Sequence, residues 1–114
     1  MDNKFEKFES DVMGIIIAEN SDISCELKRQ YESAKIIDRK FTGVGFFTVF
    51  EIPDKDLRLP KSSNLTLGNV QAKIDGLQHG AGFVLFVRDG LIEMLEGYTY
   101  GESWPIIIGA YTFE

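Results

Sequence analysis

Residues 79–105, HGAGFVLFVRDGLIEMLEGYTYGESWP, decide the fold. Asp89-Gly90 separates two apolar runs, and a two-residue type I′ turn needs positive φ at both central positions, which Asp and Gly tolerate. The stretch therefore reads as a β-hairpin followed by an aromatic, carboxylate-bearing loop. Counting outward from the turn, Arg88 faces Leu91, Val87 faces Ile92, Leu85 faces Met94 and Phe83 faces Glu96. That register predicts one apolar face of Phe83, Leu85, Val87, Ile92 and Met94 beneath helices, with Glu96 at its end. The other face carries Val84, Phe86, Leu91 and Leu95, with Arg88 and Glu93 close to diagonal neighbours.

Upstream, Phe5, Phe8, Val12, Ile15 and Ile16 recur at spacings of three and four among charged residues, which predicts an amphipathic helix over about 3–18. Asn20, Ser21 and Asp22 are capping candidates for a second helix carrying Ile23, Leu27 and Tyr31 and ending near Ser33. From Lys35 the sequence turns β-favouring: Ile36-Ile37, a turn or bulge at FTG, then VGFFTVFEI, closed by Pro53. The charged, Pro- and Ser-containing DKDLRLPKSSN reads as an exposed loop. Val70, Ala72, Ile74 and Gly76 alternate with polar residues as a strand with one wet face, and Ile106 to Ile108 is expected to add a last strand. The fold class is α+β: residues 1–114 form a single domain, two N-terminal helices packed on an antiparallel sheet of about five strands.

Eighteen acidic residues against twelve basic ones leave a net charge of −6, which argues against nucleic acid and anionic membranes and for a basic protein partner. The amino terminus lacks a secretory pattern, and the apolar run 12–18 is far shorter than the roughly 20 residues of a membrane span. One cysteine, Cys25, permits no internal disulfide, so a reduced cytoplasmic location is expected and Cys25 is read as a small packed residue. One Cys and one His give no metal-ligand spacing, and no phosphate-binding glycine loop occurs, so neither metal nor cofactor is expected.

Two constellations remain. Glu96, Tyr98, Tyr100, Glu102 and Trp104 crowd the segment after the hairpin, where aromatic anchors supply buried area and carboxylates steer a basic partner. Trp104-Pro105 equally suits the end of a core. The alternative is a small-molecule or catalytic pocket between helices and sheet, with His79 as base and Glu96 as acid, which requires the two to converge. Gly80 and Gly82 beside His79 are explained as well by a tight approach to a crowded strand. Glu93 and Glu96 fall on opposite faces in the expected register and form no paired site. A third reading uses Val84, Phe86 and Leu95 as a homodimer face.

Three words, KFTGVGFF, LQHGAGF and LEGYTYGESWP, occur in this order over roughly residues 27–105. Their combination resembles a family of short, uncharacterised bacterial proteins. The resemblance implies no catalytic role for Thr42, His79, Glu96 or Trp104. By analogy with other small acidic bacterial proteins, the expected function is non-enzymatic binding of a basic protein, immunity-like in form.

Overall fold

A computed structural model describes residues 3–60 and 63–114. Helix α1 spans Asn3–Glu19 and α2 Ser24–Ser33. Six strands follow: β1 Lys35–Phe41, β2 Gly45–Glu51, β3 Leu65–Ile74, β4 Ala81–Arg88, β5 Leu91–Thr99 and β6 Tyr111–Phe113. They form one antiparallel sheet in the order β1-β2-β5-β4-β3-β6, so the fold is α+β with one strand more than the sequence suggests.

The stripe of α1 buries Phe5, Phe8, Val12, Met13, Ile16 and Ile17 against Phe46, Phe83, Leu85 and Leu95 of the sheet, giving one continuous core. Fully burying a phenylalanine such as Phe8 or Phe83 contributes about 2 kcal/mol. The rings interlock edge-on: Phe5 with Phe46 at 4.9 Å and Phe8 with Phe83 at 5.4 Å between centroids.

Three expected details are corrected. The side chains of Asn20, Ser21 and Asp22 do not cap α2; its N-cap is Ile23, without a side-chain bond, while Asn20 Nδ2 turns back to donate to the Ile16 carbonyl at 2.7 Å. That bond satisfies one of the free carbonyls ending α1. Residues Ile106 to Ile108 are not a strand. Ile106 and Ile107 stay exposed and Ile108 drops into the core, so the run lacks the in-out alternation of a strand. The last strand is β6, paired with Ala72–Ile74 of β3, which itself stops before Gly76, a residue held at φ +94°.

The hairpin also departs from the expected register. Asp89 and Gly90 have φ of 52° and 76°, as the turn requires, and Arg88 faces Leu91 and Val87 faces Ile92. Glu93 is then an extra, unpaired residue, so Phe86 faces Met94, Leu85 faces Leu95, Val84 faces Glu96 and Phe83 faces Gly97. A one-residue slip exchanges faces. Leu95 joins the core at 0% exposure, and Met94 and Glu96 move to the face away from the helices.

Two buried polar side chains lock the helices to the sheet. Gln30, fully buried, donates through Nε2 to the carbonyls of Leu57 and Gly90, both at 2.9 Å, and accepts from the Ile92 amide at 2.8 Å. It thereby ties α2, the 3-10 turn Lys55–Leu57 and the hairpin together. Glu9 of α1 is 2% exposed and takes Arg39 Nη2 at 2.7 Å and Nε at 3.3 Å, with the Thr48 hydroxyl as a third donor. A buried carboxylate with three donors is satisfied; with one removed it is costly.

Candidate functional site

Three Gly-aromatic pairs lie side by side on neighbouring strands. Gly45-Phe46 of β2, Gly97-Tyr98 of β5 and Gly82-Phe83 of β4 are in register, Phe46 facing Gly97 facing Phe83, and Gly45 facing Tyr98 facing Gly82. Successive side chains point to opposite faces, so the helix-covered face reads Phe, Gly, Phe and the other face Gly, Tyr, Gly. A Cβ on Gly97 would lie 2.3 Å from Phe46 Cε1 and 2.9 Å from Phe83 Cε1: the two core rings close over that glycine. On the other side, the Tyr98 ring lies across Gly82, where a Cβ would come within 2.6 Å of its Cζ and hydroxyl oxygen. The second glycine of HGAG, Gly82, thus makes room for a tyrosine of the same chain.

The same three segments meet at the sheet end. Trp104 N–H donates to Gly43 at 2.7 Å and Thr99 N–H to Val44 at 2.9 Å, while the Thr99 hydroxyl sits between the carbonyls of Val44 and Glu102. The Glu102 carboxylate accepts the amides of Gln78 and His79, each at 2.8 Å. Those two amides hold its pKa below the ordinary glutamate value. Trp104 is 8% exposed and packs edge-on to Phe46 at 5.1 Å. Of the five residues expected to contact a partner, Glu102 and Trp104 are therefore occupied in building the scaffold.

Glu96, Tyr98 and Tyr100 stand together on the open face. Tyr100 is exposed, donates its hydroxyl to Gln71 Oε1 at 2.6 Å and meets the Tyr98 ring edge-on at 5.7 Å. Burial raises the Tyr98 pKa, with Tyr100 and the Glu96 charge adding to the rise, so its phenol stays protonated at neutral pH. Glu96 lies between Phe47 and Val84 on the adjacent strands and between Met94 and Tyr98 along its own. All five are partly buried. Among the described residues Glu96 has no hydrogen-bond or ion-pair partner, and its charge adds to the rise at Tyr98. Lys40 occupies the same cross-strand row beyond Phe47, two strand spacings or roughly 10 Å away.

His79 and Glu96 do not converge. His79 lies in the turn before β4 and borders a shallow hollow with Lys73, Leu77, Gln78 and Glu114, whereas Glu96 faces Val84, roughly 13 Å of strand beyond Gly80. The helices cover the opposite face, so the slip at Glu93 places Glu96 outside any helix-sheet pocket. A groove of about 270 Å³ does open at the edge of the helix layer, between Phe5, Arg39, Phe41, Trp104 and Ile106. Its charged residues are Glu6 and Arg39, and the Arg39 guanidinium is already held by Glu9.

The homodimer face also changes, since Leu95 is in the core and Met94 takes its place beside Val84 and Phe86. Cys25, expected to be packed, is exposed on α2. Among the described residues no three His, Cys, Asp or Glu side chains gather as a metal site, and no helix is long and apolar enough to cross a membrane. Sequence reasoning missed Phe47 and Val49 as members of the open face. Their signal was the continuous run Phe46-Phe47, followed by Val49-Phe50, which leaves apolar residues on both faces of one strand. No family model matches the chain, and no curated protein or solved structure matches it.

Proposed function

We propose that this chain is a non-enzymatic interaction protein that binds a basic protein partner through the open face of its sheet. The observation that carries the reading is an uncovered apolar centre, Phe47, Val49, Val84, Phe86 and Met94, with Tyr98 and Tyr100 beside it. A sheet normally buries one face and solvates the other; an apolar patch left on the second face marks an interaction surface. Glu96 and the net charge of −6 favour a cationic partner and speed its encounter. Glu96, Tyr98 and Tyr100 are contact residues, while Glu102 and Trp104 hold the loop that follows β5. An immunity-like role, covering a basic effector in a bacterial cytoplasm, is the form of this reading that the charge favours.

The test is capture from a bacterial lysate, identification by mass spectrometry, and titration of the purified partner into wild type, Phe86→Asp and, as a control in the groove at the edge of the helix layer, Phe41→Asp. Affinity should fall at least tenfold with Phe86→Asp and stay within about twofold with Phe41→Asp. Equal affinity for all three proteins would remove the open face from the interaction.

A further inference from the structure

Resting on the open-face reading, we infer that Glu96 is the anchor for an arginine side chain of the partner, received between Phe47, Val84, Met94 and Tyr98. The four neighbours surround the carboxylate on both flanking strands and along its own strand, so any protein that covers the apolar centre also covers Glu96. Because the described residues supply Glu96 with no donor, an occupant without a cation would bury an unpaired charge, which is strongly unfavourable. The apolar collar attracts and the carboxylate rejects every partner that lacks the matching charge. That combination gives specificity as well as affinity.

The collar selects arginine over lysine. A guanidinium is planar, weakly hydrated and forked, so it pairs both oxygens of a carboxylate while its faces stack on rings. Tyr98 and Phe47 offer those rings on two sides of Glu96, and the aliphatic stem can lie on Val84 and Met94. An ammonium would have to leave more of its hydration behind for a single-point contact.

A second copy of the chain is the less suitable occupant. Three of its four arginines are already paired: Arg39 with Glu9, Arg58 with Asp89 and Arg88 with Glu93. A second copy would break one of those pairs or use Arg29 of α2, whereas a basic partner brings its own.

The test has two parts. First, n-butylguanidinium and n-butylammonium are titrated into protein labelled at Met94 and Val84 methyls and at the Glu96 carboxyl carbon, with NMR detection. The guanidinium should shift all three signals with an affinity several-fold above that of the ammonium, and Glu96→Gln should abolish the difference while leaving the amide spectrum folded. Equal response to both cations, or shifts that persist in Glu96→Gln, would overturn the anchor. Second, the captured partner is titrated into Glu96→Gln and Phe86→Asp. A tenfold or greater loss with each supports the anchor. Loss with Phe86→Asp alone overturns the anchor and leaves the open-face reading standing; loss with neither overturns both. If instead sedimentation shows wild type dimeric and Glu96→Gln monomeric, the occupant is a second copy and the arginine of a separate partner is ruled out.

Discussion

The covered and open faces of β2, β5 and β4 use the same residue types in opposite order. Under the helices a glycine lies between two phenylalanines; on the open side a tyrosine lies between two glycines. Each face also carries a glutamate, Glu9 of α1 against the first and Glu96 of β5 on the second. Glu9 has three donors, and Glu96 has none among the described residues. The difference separates what the molecule needs in order to fold from what it has left over for something else.

Three paired substitutions and one titration sharpen or break that contrast. The largest effect is expected from Phe83→Ala, which empties a fully buried site and should cost about 3–5 kcal/mol in a urea titration, whereas Phe86→Ala on the open face should cost about 1 kcal/mol or less. Similar losses would mean that the open face is part of the core. Next, Glu9→Gln removes the charge that holds Arg39 and should cost about 3 kcal/mol, while Glu96→Gln should change stability by no more than about 0.5 kcal/mol. A comparable cost at Glu96 would reveal that its carboxylate is structurally engaged.

Gly97→Ala follows, at about 1–3 kcal/mol, because its methyl meets two rings wedged in the core. Gly82→Ala meets only the far end of the partly exposed Tyr98 ring, which can swing outward, so a cost below about 1 kcal/mol with large shifts of the Tyr98 ring signals is expected. The smallest effect is acid loosening of the loop. The pKa of Glu102 is lower in the folded protein than in the unfolded chain, so its contribution is complete above the ordinary glutamate range and is lost as pH falls through the depressed value. The Gln78 and His79 amide shifts should follow that titration, with a midpoint below the ordinary glutamate value, and Glu102→Gln should remove it. An unchanged inflection in the variant would assign it to another group.

The architecture was legible because its signals are local. The three- and four-residue spacing from Phe5 to Ile16 gives α1, and Asp89-Gly90 gives the turn and its first two pairs. The site was not, because a bulge needs no special residue type. Glu93 slips out of the ladder, pairs with Arg88 at 3.4 Å, and every residue beyond it changes face. The adjacent apolar pairs Leu91-Ile92 and Met94-Leu95 break strict alternation and are the trace this leaves in the sequence. The three Gly-aromatic words lie far apart along the chain. Only the strand order makes them neighbours, and most of their residues serve one another.

The sheet's edges bear on aggregation. Strand β6 is three residues long, and β1, the longer edge, carries exposed Ile36 and Ile37. A straight edge with those side chains would template strands from other molecules. Ile37 is an extra residue between the pairs Ile36 with Phe50 and Asp38 with Val49, so the edge is kinked where it is most apolar, and Lys35 and Lys40 flank the kink. The chain can therefore leave one apolar sheet face uncovered while its strand edge resists indiscriminate pairing.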